Sequence, residues 1–205
     1  FLAELCQKKL SVLNLFSYTC GFSVVAAQNG ASEVTSVDVS DNFLQWGLEN
    51  HKLNKSSTQD MDSFSKAVDS KFQNQNCQFE VFKSDSRFFL DRCQKKSRKF
   101  DIIILDPPSF SRKTSKQQGF QIQKDLPHLI KQCLSVLNKN GYILVSCNYE
   151  KWNHKDFQMM ITKTVKSFSN LNFKLISTPH TWDFEKDFNM KTEDSKLMKS
   201  VWIHV

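Results

Sequence analysis

Short apolar runs alternate along this chain with longer stretches in which apolar residues return every third or fourth position. The runs at 11–16, 33–37, 79–82, 100–105 and 142–146 predict buried strands. Between them, 22–28 predicts a helix that Gly30 ends. Ser40 or Asp41 caps another that runs to about residue 53. A helix follows over 86–94. A stronger apolar stripe at 126, 129, 130, 133, 134 and 137 predicts a helix over 125–138, closed by Asn140 and Gly141. Phe157, Met160, Ile161, Val165 and Phe168 mark the last helix, and strands near 173–177 and 199–205 close the chain. The polar stretch 55–76 is expected to hold a loose helix around 64–72, and 111–120 reads as a polar loop. Strands separated by helices of this length predict parallel βαβ units in a doubly wound, Rossmann-like α/β sheet.

Composition narrows the class. A chain of 205 residues that is 40% hydrophobic, with five glycines and four prolines, has a globular rather than a disordered composition and enough length for a full core. No apolar run approaches a membrane span. The net charge of +7 points to a polyanionic partner. Two basic clusters carry part of it, Lys95, Lys96, Arg98 and Lys99, then Arg112, Lys113 and Lys116. The six cysteines form no CxxC pair and no zinc spacing with histidine, so neither a metal site nor a disulfide framework is expected, and a reduced cytoplasmic setting fits.

Candidate chemistry sits where strands end. The segment Phe16 to Phe22 joins the first strand to the first helix, where free backbone N–H groups and a helix N-terminus suit an anionic group. Gly21 is its one glycine, which argues against a GxGxxG dinucleotide loop. Asp38 closes the second strand at the distance where doubly wound folds take a ribose hydroxyl pair; a strand-end or capping role is the plainer reading. Asp85 closes the third strand and reads equally as an adenine contact and as a helix N-cap. A ligand with ribose, adenine and a carboxylate, such as S-adenosylmethionine, suits such a pocket.

The fourth strand stops at Asp106-Pro107-Pro108-Ser109-Phe110. Two prolines forbid further pairing, which leaves a carboxylate on a stiff turn at the edge where open α/β sheets bind ligands. Asp106 and nearby carbonyls can accept from a base, and Phe110 can stack on it. Cys147 ends the fifth strand. It reads either as a thiolate that adds to C6 of a pyrimidine or as a buried structural cysteine.

The segments Leu13-Asn-Leu-Phe-Ser-Tyr-Thr-Cys-Gly-Phe22, Ser36-Val-Asp-Val-Ser40, Phe100-Asp-Ile-Ile-Ile-Leu-Asp-Pro-Pro-Ser-Phe110 and Val145-Ser-Cys-Asn148 together resemble the class I S-adenosylmethionine-dependent RNA methyltransferases. Within them they are most similar to bacterial enzymes that modify cytosine C5 or guanine in large-subunit ribosomal RNA. The closing 193–200 resembles the family's last hairpin. The resemblance implies a mostly parallel seven-stranded sheet with an antiparallel C-terminal hairpin, one catalytic domain over 1–205, and an upstream RNA-binding segment that this sequence lacks. It implies that Asn14, Phe16, Ser17, Tyr18, Thr19, Gly21, Phe22, Asp38, Ser40, Asp85 and Asp106 bind S-adenosylmethionine. It also implies that Pro107, Pro108, Ser109, Phe110, Arg112 and Lys113 meet the RNA, and that no metal takes part. In the cytosine members a Ser-Cys-Ser motif supplies the nucleophile, which falls on Cys147. With Asp106 it makes the expected catalytic pair, with cytosine C5 slightly favoured. Asn148 replaces the second serine; guanine members carry asparagine there but lack the cysteine. Cys20 stands where a glycine is usual, which is expected to narrow the methionine pocket and leaves open a binding module without turnover.

Overall fold

A computed structural model describes residues 1–54, 70–73, 77–112, 119–168, 171–177 and 198–205. Its ten strands and six helices are, in chain order, α1 (Leu2–Cys6), β1 (Ser11–Leu15), α2 (Gly21–Gln28), β2 (Glu33–Asp38), α3 (Asp41–Leu53), β3 (Ser70–Gln73) and β4 (Gln78–Lys83). They continue with α4 (Ser86–Lys95), β5 (Phe100–Leu105), β6 (Phe110–Ser111), β7 (Phe120–Gln121), α5 (Ile122–Ser135), β8 (Leu137–Cys147), α6 (His154–Phe168), β9 (Lys174–Ser177) and β10 (Lys199–His204).

Eight strands form one sheet in the order β3-β4-β2-β1-β5-β8-β10-β9. The central five pair in parallel, and β10 and β9 close one side antiparallel, as the resemblance implied. The eighth strand is β3, which pairs antiparallel with β4 at the other edge. It falls inside the polar stretch where a loose helix was expected; 55–69 and 74–76 lie outside the described residues. A second ribbon, β6 with β7, was also absent from the sequence reading.

Alternation along each strand sorts the core into two layers. Leu13, Leu15, Ile103 and Leu105 pack with residues of α4, α5 and α6. Val12, Ile102 and Ile104 pack on the other face with α1, α2 and α3. Ile102 to Leu105 are all 0% exposed. Each such side chain contributes roughly 1.5–3 kcal/mol through burial. Because α2 follows β1 onto one face while α5 follows β5 onto the other, the crossover reverses between these neighbouring strands. That is the switch point at which open sheets form a cleft.

Helix α5 starts and ends about three residues before the expected span. Leu137 belongs to β8, opposite Phe100, and not to the helical stripe. Asn140 and Gly141 lie within an irregular stretch of β8, between the pairing of Phe100 with Leu137 and that of Ile102 with Tyr142.

Candidate active site

Strand register sets the cleft. Leu15 lies beside Val37 on one side and Leu105 on the other, and Leu105 beside Val145. The residues that follow, Phe16, Asp38, Asp106 and Ser146, therefore share the carboxyl edge of the sheet.

On the β1–β2 side, the loop is built tightly. Phe16, Tyr18 and Cys20 all have left-handed backbone, with φ of 55°, 48° and 60°. Such angles are uncommon outside glycine and persist where surroundings hold them. The holding bonds are visible: the Ser17 amide donates to the Val37 carbonyl at 3.0 Å, the Cys20 amide to the Ser17 carbonyl at 2.8 Å, and Asn50 Nδ2 to the Thr19 carbonyl at 2.9 Å. Asp38 accepts the Tyr18 amide at 3.0 Å on one carboxylate oxygen and the Ser40 amide at 2.9 Å on the other. Each oxygen keeps a lone pair for a ribose hydroxyl. Helix α2 opens with no side-chain cap, so its first amides face outward. A Cβ built on Gly21 would meet no atom within 4 Å. Open amides, open space and an anchored acid fit the carboxylate and ribose of S-adenosylmethionine.

Several expected cofactor residues make hydrogen bonds within the protein that brace this loop and its neighbours. Asn14 is 1% exposed and donates to Ser23 Oγ at 2.8 Å, and Ser23 pairs with Ser36 at 2.7 Å. This buried chain ties β1, α2 and β2 together beneath the loop, and Asn14 does not reach the cleft. Ser40 caps α3 by accepting the Phe43 amide at 3.4 Å. Cys20 is buried against α3, where Gly47 leaves it room: a Cβ on Gly47 would lie 2.9 Å from the Cys20 Cβ. The thiol therefore packs into the helix layer, against Gly47.

On the β5 side, Asp106 is half-buried, and burial raises its carboxyl above the ordinary range. Among the described residues no donor reaches it. Pro107 is buried and Pro108 exposed. The turn is stapled at Ser109, whose hydroxyl donates to the Asn148 carbonyl at 2.9 Å and whose carbonyl accepts the Ile122 amide at 3.2 Å. That uses the Ser109 hydroxyl hydrogen within the protein. Phe110 is 60% exposed in β6. Arg112 is exposed, and Lys113 lies outside the described residues.

Three comparisons bear on identity. A family model described as S-adenosylmethionine-dependent methyltransferase matches residues 4–191. The chain belongs to that family. Ribosomal RNA large subunit methyltransferase K/L of Shewanella sp. (strain ANA-3) is 35% identical over 147 residues, 71% of this chain and 18% of the relative. The K/L enzyme of Psychrobacter cryohalolentis is 37% identical over 146 residues, 71% of this chain and 16% of that protein. The chain thus spans less than a fifth of these curated relatives. A methyltransferase solved in complex with S-adenosylhomocysteine (SAH) is 29% identical with TM-score 0.73, covering 100% of this chain and 48% of that one. A SAM-dependent methyltransferase from Streptococcus mutans is 27% identical with TM-score 0.71, at the same coverage.

In this methyltransferase Cys147 is 0% exposed. Burial is the main cause that raises its thiol; the Tyr149 amide and Lys199 oppose the shift and Asp106 adds to it. A buried, protonated thiol is a poor nucleophile. Asn148, next to it, is exposed. The expected catalytic pair is therefore adjacent in space but unequal in access.

Sequence reasoning missed three residues. Lys199, opposite Cys147 across the β8–β10 pair, is 0% exposed, which is rare for lysine. Arg87 and Lys124 line a cleft of about 430 Å³ with Phe110 and Asp125. A lysine in a strand run and an arginine in a helix carry no local signal of where they point. Asp85 proves to be the N-cap of α4, accepting the Arg87 amide at 2.9 Å. The first basic cluster sits at the opposite edge of the sheet: Arg98 is paired with Glu33 and Glu80 at the strand starts. Arg98 is thus a structural cation and not an RNA contact. Among the described residues no helix is long and apolar enough to cross a membrane, and no cluster of His, Cys, Asp or Glu is placed to hold a metal. All six cysteines are buried with free thiols.

Proposed function

We propose that this domain methylates a guanine base of large-subunit ribosomal RNA, in the cytoplasm. The observation that carries the base assignment is the contrast at the cleft floor. Asp106 offers an unused acceptor, while the Cys147 thiol is sealed and pushed up. The guanine edge presents N1–H and N2–H₂ as donors, which suits a carboxylate; cytosine C5 chemistry needs an accessible thiolate. The sequence's slight preference for cytosine finds no support in this arrangement. The K/L relatives support ribosomal RNA as the substrate, and the net charge of +7 suits it.

When bound, S-adenosylmethionine supplies a methyl group on a sulfonium, ready for in-line displacement. The protein's part is to position. Asp38 and the α2 amides hold the cofactor's ribose and carboxylate. Asp106 accepts from the guanine edge, Phe110 stacks on its face, and the exposed Asn148 amide offers a donor toward O6. The Ser109 staple fixes the turn that carries Asp106, so the acceptor is aimed before the base arrives.

Incubation with ribosomal RNA and labelled cofactor, followed by nucleoside mass spectrometry, tests this. Methylated guanosine is expected. A 5-methylcytidine product would replace this reading with the cytosine one. Cofactor binding without any labelled nucleoside would favour a binding module.

A further inference from the structure

Arg87 joins two parts of the cleft that the chain keeps 32 residues apart. Its Nε donates to Asp85 Oδ1 at 3.0 Å and one terminal nitrogen to Asp85 Oδ2 at 2.6 Å, a two-point fork on the carboxylate. Its other terminal nitrogen donates to the Gly119 carbonyl at 3.2 Å. Gly119 leads into β7, whose Gln121 pairs with Phe110 of β6. From α5, Asp125 also faces the guanidinium and accepts the Gln121 amide at 2.7 Å.

A helix-start ion pair is ordinarily worth little. This one differs in what hangs on it. A ribbon of two strands, two residues each, cannot hold its own shape. Its place is set by its attachments: Arg87, the Phe16–Phe120 ring contact at 5.9 Å, the Gln121 to Asp125 bond, the Ser109 to Ile122 bond, and the burial of Phe120 in the core. Of these, Arg87 and the Phe16 contact lead directly to the β1–β4 side of the cleft.

We propose that Arg87 is a positioning residue that couples the cofactor pocket to the base-holding ribbon, so that occupancy at Asp85 fixes Phe110. The proposal rests on Asp85 facing the cofactor's adenine. A carboxylate has about four acceptor positions, and the Arg87 amide, Nε and terminal nitrogen take three. A cofactor amino group takes the fourth. Held from both sides, the carboxylate fixes the plane of the guanidinium, and the guanidinium fixes Gly119. By linkage the effect runs both ways: a base held by the ribbon tightens cofactor binding equally.

SAH alone is a sufficient probe, so the result does not depend on which base is methylated. Amide hydrogen exchange at Phe120 and Gln121 is expected to slow by about fivefold or more when SAH binds, the lower end of usual coupling. Arg87→Lys keeps the charge and the backbone cap but loses the fork. It should bind SAH within about threefold of the parent while the slowing disappears. Arg87→Met should behave the same way and guards against a lysine that reaches both partners. Slowing that survives in both variants, or none in the parent, overturns the proposal. Asp85→Ala tests the adenine contact separately: unchanged SAH affinity would also overturn it, whereas weaker binding with lost slowing supports it.

Discussion

The two halves of the cleft are finished to different degrees. Asp38 and Asp85 already hold protein donors, backbone amides in one case and Arg87 in the other. Asp106, across β1 from them at the end of β5, has no donor among the described residues, and Phe110 near it is 60% exposed. On the proposed reading, the cofactor half is assembled before ligand arrives, and the substrate half is completed by the base. A methyl donor of fixed shape rewards preorganisation; a base that must be drawn out of folded RNA needs an open acceptor.

Asp106→Asn should break this contrast most severely. It turns one acceptor atom into a donor aimed at the guanine donors, and kcat should fall by roughly 10²–10³-fold. SAH affinity, measured by calorimetry, should stay within about threefold. Because burial raises the Asp106 carboxyl, the acid limb of kcat/KM should lie above the ordinary aspartate value of about 3.9 and vanish in the variant. An unchanged acid limb would remove Asp106 from the reaction. Asp38→Ala should act oppositely. SAH affinity drops about 10–100-fold, from the loss of charge-assisted bonds worth roughly 1.5–3 kcal/mol. Saturating cofactor then restores most of kcat.

His51 sharpens the picture beneath the cofactor half. It is 3% exposed, packs edge-on against Phe79, and burial lowers its pKa to about 4. The unfolded chain takes this proton near 6.5, so between pH 6.5 and 4 the unfolded state binds more protons. Stability therefore falls as pH drops through that window, by at most about 1.4 kcal/mol per unit. Urea titrations of His51→Leu should show that slope reduced. Cys147→Ala should matter least, with turnover within about threefold of the parent; complete loss would return the thiol to the reaction.

The parallel strands were legible because each is a short, mostly apolar run, unbroken from Ile102 to Leu105 and interrupted by single or paired polar residues in β1, β2 and β4. The edge strand β3 was not, since Ser70-Lys-Phe-Gln73 looks polar and its pairing partner lies in β4. Helix α5 was displaced because Leu137 satisfies a helical stripe equally well as a strand pair. In the site, Asp106 was readable from the prolines that follow it. The internal hydrogen bonds of Asn14, Ser40 and Ser109 were not legible for a shared reason. A polar side chain near a ligand either meets it or braces the backbone, and only the partner's position decides. Lys199 escaped notice because its strand neighbour Cys147 is distant in sequence, and Arg87 because one of its partners, Gly119, is.

The Cys20–Gly47 contact has a consequence for how this loop can change over generations. Alanine favours a helix over glycine by about 1 kcal/mol, so Gly47→Ala would ordinarily be an improvement. Here it collides with Cys20, and overpacking of that kind costs roughly 1–3 kcal/mol. Cys20→Gly removes the obstacle and suits the left-handed backbone at φ 60°. The path to the pair is therefore open in one order and closed in the other. In this chain, therefore, cysteine at 20 holds position 47 to glycine, and only its replacement by glycine frees that helix position for a larger residue.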